Sequence, residues 1–479
     1  MAKRPNIVLL VLDSVRPSNM SCYGYERPTT PHLDRLAAEQ GTLFEQAIAV
    51  GCWTLPVHAS LFTGLYPSAH GVMLAKDALP EGSATLARRL GEQGYRTACF
   101  SNNPYISEST GLTQGFDTVE ELWRSTRLHG AERSRASARL KQLERRGGAA
   151  KSLARTARLA KRPLSILKTW RRWRRRADSG AKLTQERIRE WLASKDDTAP
   201  FFIFVNYMES HEGWKSHERY NPPRPYNRRF LGRRVSFWRV ARLTSTQLGA
   251  SKPRRDQDLQ ITRALYDGAV NYLDDQVGEL ISHLDSIGVM DNTVLIVASD
   301  HGDSLGEHGH VGHRLYLYEQ LVHVPLIVRY PACFPPGSRV PHLVPLCDLH
   351  PTILELAGDG DSEASDFKSL LGGRDAAPHA FVVAENTAPK SLDNVVMRMV
   401  RDERFKYIAS SNGREELYDL IEDPGESRNL AGAEPSVQRK MSERLREWES
   451  ALETTRVESG EAEYDEQTME RLRGLGYVG

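Results

Sequence analysis

Continuous apolar runs rich in Val, Ile and Leu recur along the chain: PNIVLLVLD (5–13), RTACFS (96–101), PFFIFVNYM (200–208), NTVLIVASD (292–300) and VPLIVRY (324–330). They lack the strict apolar–polar alternation of a strand with one wet face, so they predict strands buried on both faces, as in a parallel sheet. Stretches with helical spacing lie between them: TTPHLDRLAAEQ, SATLARRLGEQG, LTQERIREWLAS, the long LQITRALYDGAVNYLDDQVGELISHLDSIG, and LCDLHPTILELAG. This alternation predicts an α/β fold with a large, mostly parallel sheet sandwiched by helices. Beyond residue 375 the rhythm changes. HAFVVAE, NVVMRMVR and FKYIAS read as antiparallel strands, and a helix follows over 436–453. The expected organisation is two halves of one α/β domain (1–124 and 183–372), a basic helical insertion (125–182) and a small C-terminal antiparallel-sheet subdomain (373–479).

Composition narrows the chemistry. At 479 residues the chain needs no metal to build a core, so a bound metal would serve function. Its five cysteines are scattered and form no CxxC pair, which excludes a disulfide framework and a thiolate zinc site and fits a reducing compartment. No apolar run is long enough to cross a bilayer. The first run is short and no small-residue cleavage site follows it, so it predicts a strand and not a secretory signal. The expected location is the cytoplasm.

The net charge of +2 hides a strong segregation, because from Arg124 to Arg176 nineteen Lys and Arg residues face two acidic ones, Glu132 and Glu144. Within that stretch KRPLSILKTWRRWRRR sets Leu164, Ile166, Leu167, Trp170 and Trp173 among the cations. Such a composition suits an anionic membrane surface, here the inner face of the membrane. A polyanion, whether nucleic acid or an anionic glycan, and a plain solvated arm are the alternatives.

Candidate chemistry sits at strand ends, where open α/β sheets bind their ligands. Asp13 closes the first run, and Asp300 and His301 close NTVLIVASDHG. Two carboxylates and an imidazole so presented are a reasonable ligand set for a divalent cation, although a lone strand-end Asp is more often a turn or cap residue. His308, His310 and His313 follow within a dozen residues in a Gly-rich stretch, which suggests a polar cavity, with one or two of the histidines serving the loop backbone instead. GCWTLPVHASLFTG offers a nucleophile. Pro56 fits the first turn of a helix, which puts Thr54 just before a helix N-terminus, where an anion is favoured. A hydroxyl there beside a cation can attack a tetrahedral phosphorus or sulfur centre; the plainer reading is an N-cap.

In this order along the chain, NIVLLVLDSVRPSNMSCYGY, TPHLDRLAAEQGTLFEQAIA, TLPVHASLFTGLYPSAHGV, GFDTVEE, PFFIFVNYMESH, SDHGDSLGEHGHVGHRLYLYEQLVHVPLIVRYP, FKYI, ELYDLIEDPGESRNLA and LGYV resemble the motifs of the sulfatase family of the alkaline phosphatase superfamily. The resemblance implies a large central sheet between helices, a small C-terminal sheet subdomain, and hydrolysis of sulfuric or phosphoric esters. Family members carry a Cys or Ser that becomes formylglycine, followed by Pro and Arg. Counting back from Thr63-Gly64 places Thr54 at the nucleophile, Pro56 at the proline and His58, as a substrate-binding residue, at the arginine. Cys52 is out of register, and threonine cannot become formylglycine without losing its methyl carbon, so no formylglycine is expected. The resemblance further implies His211 near the leaving oxygen, and His313 at the place of a lysine that contacts the transferred group. Asp13-Ser14 stands for a double Asp, and Asp300-His301 is similar to the pair of phosphonate monoester hydrolases.

The implied centre is Asp13, Asp300, His301 and the Thr54 oxygen around one divalent cation, with the imidazole favouring Mn²⁺ or Zn²⁺ over Ca²⁺. His211 and His313 are the implied proton donors. Asn102 and Asn103 follow the strand RTACFS, where they can reach ester oxygens or serve a turn. The expected activity is a metal-dependent hydrolase of sulfate or phosphate esters, with a sulfated or phosphorylated substrate. A transferase using the same residue, or a non-catalytic protein that binds anions or membranes on the same fold, are the rival readings.

Overall fold

The computed structural model describes residues 4–125, 178–194, 199–211, 220, 222–232, 235–236, 239–240, 256–313, 316–359, 367–372, 378–387, 395–452 and 457–475. Most of the basic insertion, 126–177, lies outside the described residues, as does the closing GYV of the family motif.

The central sheet has eight strands, β1 (Asn6–Leu12), β2 (Thr42–Ile48), β4 (Arg96–Ser101), β5 (Thr118–Glu121), β6 (Phe201–Tyr207), β7 (Thr293–Ala298), β10 (His323–Arg329) and β11 (Ser338–Pro345). The intervening short strands form two pairs with other segments: β3 (Asp77–Ala78) with β16 (Gly460–Glu461), and β8 (Ser304–Leu305) with β9 (Val311–Gly312). The order across the central sheet is β11-β2-β10-β7-β1-β6-β4-β5. β10 runs antiparallel to both neighbours, and every other adjacent pair is parallel. VPLIVRY therefore forms a strand as its apolar run predicts, but one of reversed direction. A strand covered on both faces is continuously apolar whichever way it runs.

β1 shows why the sheet is sandwiched. Ile7, Leu9 and Val11 enter one core and Val8, Leu10 and Leu12 the other, and all are at most 1% exposed. The first core is covered by the helices Thr54–Thr63, Leu86–Glu92 and Leu349–Ala357, the second by Ala181–Ser194 and the long Asp256–Ser286. TTPHLDRLAAEQ is shorter as an α-helix than its spacing predicts: Pro31–Arg35 is α-helical and the chain then widens into a π-turn over Leu36–Gln40.

The C-terminal sheet is an antiparallel meander, β12 (Val382–Thr387), β13 (Val396–Arg401), β14 (Phe405–Ser410) and β15 (Glu415–Asp419), backed by the helix Pro435–Leu452. It joins the first core through Val382, Met399, Ile408 and Leu417, and Glu385 N–H donates to the Val50 carbonyl at 2.9 Å. Among the described residues no helix is long and apolar enough to cross a membrane.

Candidate active site

Three neighbouring strands end at one place. β1 delivers Asp13, β7 delivers Asp300 and His301, and β6 leads to His211. Ser299 Oγ fastens the first two ends, donating to the Leu12 carbonyl at 2.6 Å and accepting the Val15 N–H at 3.0 Å. The Tyr266 hydroxyl on the long helix holds the next turn, donating to the Ser14 carbonyl at 2.7 Å and accepting the Arg16 N–H at 3.1 Å. Ser14 has a left-handed φ of +65°, rare for a residue with a Cβ. That turn brings its N–H to 3.3 Å from Asp300 Oδ1, and its hydroxyl to 2.9 Å from Asp13 Oδ1.

Asp13, Asp300 and His301 are fully buried, and each offers a ligand atom within 4.8 Å of the other two. His301 Nδ1 lies 2.8 Å from the Gly302 carbonyl. A carbonyl only accepts, so Nδ1 carries the proton and Nε2 keeps its lone pair. That lone pair lies 3.6 Å from Asp13 Oδ1 and 3.5 Å from Asp300 Oδ2. Asp300 Oδ1 accepts the N–H groups of Ser14 and His301, while Oδ2 accepts no hydrogen bond from the described residues. A buried carboxylate oxygen left over beside an imidazole lone pair and a second carboxylate is a donor set that fits a divalent cation.

Burial pushes Asp300 up to about 7, aided by the Asp13 charge beside it. Burial acts on Asp13 in the same sense, but nearby imidazolium charge, that of His211 first, and the Asn103 amide outweigh it and hold Asp13 below the usual aspartate value.

The candidate nucleophile comes from the helix that follows β2. Thr54 is buried at the first position of the helix Thr54–Thr63, one residue further in than its sequence suggests, with Trp53 as the N-cap. Asn103 Nδ2 lies 3.2 Å from Thr54 Oγ1 and 2.8 Å from Asp13 Oδ2, so a single amide joins the hydroxyl to the carboxylate group. His58, one helical turn on, donates from Nδ1 to the Thr54 carbonyl at 2.8 Å, and the same nitrogen lies 3.7 Å from Asp300 Oδ2. Its ring packs edge-on against Phe62 and Phe204. Asn102 is drawn away from the group: its Nδ2 donates to Thr184 Oγ1 and the Asn206 carbonyl. Cys52 is buried in the first core.

The histidines divide. The His313 ring lies 4.4 Å from that of His301 and 4.8 Å from that of His211, so both predicted proton donors stand beside the ligand group. His308 stacks on Tyr318 at 3.9 Å and His310 on Tyr316 at 4.4 Å, and both thereby leave the cluster that their spacing suggests.

Several supporting residues carry no sequence signal of their own. Asn206 Nδ2 stands 3.5 Å from Asp13 Oδ2, and the Ser210 hydroxyl donates to the Asp13 carbonyl. Asp303 lies 4.0 Å from His313 Nδ1 and accepts the Tyr220 hydroxyl proton. Arg16 donates to the Asp303 carbonyl at 3.0 Å and pairs with Glu307 at 3.1 Å. A polar residue near the end of an otherwise apolar strand, as in PFFIFVNYM, is the one signal that could have found Asn206.

Residues 5–359 match the Sulfatase family, and residues 306–451 match the family described as N-sulphoglucosamine sulphohydrolase, C-terminal. The N-acetylglucosamine-6-O-sulfatase of Bacteroides thetaiotaomicron is 25% identical over 98% of this chain and 90% of its own. A multifunctional alkaline phosphatase superfamily protein of Trinickia caryophylli is also 25% identical, over 90% of this chain and 91% of its own. The crystal structure of the phosphonate monoester hydrolase of Agrobacterium radiobacter shares the fold, with a TM-score of 0.70 at 24% identity, covering 94% of this chain and 96% of that one.

Proposed function

The chain belongs to the sulfatase family, and from that premise we propose that it is a divalent-cation-dependent hydrolase of sulfate or phosphate esters with Thr54 as its nucleophile. The observation that carries this reading is the shared Asn103 amide, which sets the Thr54 hydroxyl beside Asp13. The N-terminal end of a ten-residue helix adds a positive potential at that hydroxyl, favourable to an alkoxide and to an anionic ester.

Asp13, Asp300, His301 and Thr54 Oγ1 would hold the cation, and the imidazole among them favours Mn²⁺ or Zn²⁺ over Ca²⁺. Such an ion, when bound, lowers the pKa of the hydroxyl and neutralises the ester's charge. Thr54 Oγ1 gives up its proton to solvent and attacks the sulfur or phosphorus, forming a new bond to oxygen as the bond to the alcohol oxygen breaks. His211 or His313 gives the proton that the alcohol takes up, a contribution of about 10²–10⁴-fold for a well-placed acid. Water then attacks the same centre, the imidazole takes back a proton, and Thr54 leaves as an alkoxide that regains its proton from solvent. The sum is ester plus water to alcohol plus sulfate or phosphate. From its composition we read 125–182 as the element that brings the enzyme to an anionic membrane surface.

A screen of aryl sulfates, phosphate mono- and diesters and phosphonates with added Mn²⁺, Zn²⁺ or Ca²⁺ tests this reading on three proteins. Wild type and Cys52→Ala should turn over, and Thr54→Ala should not. Turnover by Thr54→Ala, or its loss in folded Cys52→Ala, refutes the assignment.

A further inference from the structure

A buried group of four charges lies where the C-terminal sheet meets the central one. Lys406 of β14 is fully buried, and its Nζ stands 3.1 Å from Glu319 Oε1 and 2.8 Å from Glu426 Oε1. Arg401, the last residue of β13, lies 2.9 Å from Glu319 Oε2. Glu426, in a left-handed conformation with φ of +52°, accepts the Glu319 N–H at 2.7 Å. Ammonium and guanidinium here face two carboxylates, an arrangement that loses heavily when one partner is removed. Burial opposes ionisation of Glu319, but Arg401 and Lys406 outweigh it and hold its pKa at about 2.

Glu319 opens the short turn Glu319–Val322, and that turn touches the metal-ligand segment. Gly302 N–H donates to the Leu321 carbonyl at 2.8 Å. A Cβ on Gly302 would stand 2.1 Å from the Gln320 carbonyl oxygen, so the two backbones meet as closely as atoms allow. His301 is the preceding residue, and its Nδ1 is fixed by the Gly302 carbonyl itself. A second tie runs alongside: Tyr318 donates to Glu416 of β15 at 2.9 Å and carries the His308 ring.

We propose that Lys406 is a positioning residue of the hydrolytic centre, acting through Glu319 and the turn Glu319–Val322 to fix where His301 presents its Nε2. The C-terminal sheet is on this account part of the ligand geometry and not only a cover for the core. The inference rests on the reading of Asp13, Asp300 and His301 as cation ligands. It adds that their arrangement depends on a side chain from another sheet.

The test is Mn²⁺ affinity by calorimetry, together with kcat and KM, on the full chain carrying Lys406→Met, Lys406→Arg or Arg404→Ala. Arg404 is half-exposed, pairs with Asp419, and serves as a control for general loss of C-terminal contacts. Lys406→Met should weaken Mn²⁺ binding by about tenfold and lower kcat, as removal of supporting partners of metal ligands does. KM should change little, Lys406→Arg should restore most of both, and Arg404→Ala should alter neither. Glu319→Gln, which keeps shape and an acceptor, should reproduce the defect if Lys406→Met does not fold. A wild type that binds no Mn²⁺ through Asp13 and Asp300 would defeat the reading of the centre and this inference with it. A wild type that binds Mn²⁺, with Lys406→Met or Glu319→Gln binding and turning over equally well, would overturn the positioning role alone.

Discussion

Asn103 donates its side-chain amide to Asp13 Oδ2 at 2.8 Å, from the loop that follows β4 to the residue that closes β1. The loop is itself pinned, because Asn103 Oδ1 accepts the Tyr105 N–H and the Ser101 hydroxyl donates to the Asn103 carbonyl. Since the same nitrogen reaches Thr54, one side chain sets the distance between alcohol and carboxylate. Asn103→Ala should lower kcat by about 10²-fold through misplacement of the hydroxyl. It should also cost about 1–3 kcal/mol of stability, because a buried carboxylate loses a donor. Steady-state kinetics and denaturant unfolding measure the two; an unchanged kcat in a folded variant would remove Asn103 from the account.

Glu209 gives a pH dependence that is separate from the cation ligands. It is buried at the start of the helix Ala181–Ser194, where it accepts the Ala181 N–H at 2.8 Å. Burial, reinforced by Asp178, pushes its pKa up to about 8. A carboxyl raised in the folded state stabilises fully below its unfolded pKa, and that contribution is lost as pH rises through the folded value. Wild type should therefore lose thermal stability between about pH 4.5 and 8, from the unfolded to the folded value. Glu209→Gln keeps the acceptor and cannot ionise, so its melting temperature should fall less over that range. Parallel curves for the two proteins would contradict the assignment.

The cationic stretch 125–182 should act on location and not on turnover. Removing residues 126–177, which leaves the helix Ala181–Ser194 whole, should abolish sedimentation with anionic vesicles at low salt and leave kcat on a small aryl ester unaltered. Vesicle binding that survives the deletion would dismiss the lipid reading.

Sequence and structure agree best where one physical constraint dominates. Burial on both faces made β1, β4, β6, β7 and β10 visible as apolar runs, and with them the strand-end positions of Asp13, Asp300 and His301. β11 was hidden because SRVPHLVP carries Pro341 and Pro345; β11 lies at the sheet edge, where their missing donors are harmless, whereas central β10 takes Pro325 with a shift of register beside it. β5 is four residues long, three of them polar, and gives no periodic signal. The Gly-rich histidine cluster misled in part, since spacing cannot tell an imidazole that stacks on Tyr318 or Tyr316 from one that enters a site. Asn102 and Asn103 are adjacent and identical in type; only their hydrogen bonds separate the one that ties Thr184 from the one that joins Thr54 to Asp13.

The central claim is that Thr54 itself carries the transferred group, and mass mapping after rapid quench tests it most directly. Mn²⁺-loaded enzyme is mixed with a substrate it turns over, quenched in acid during turnover, and digested. The account predicts one sulfuryl or phosphoryl group on the peptide that holds Thr54, with no such adduct in Thr54→Ala. A Thr54 that stays unmodified while the group appears on another residue, or an aldehyde formed at Cys52, would contradict it.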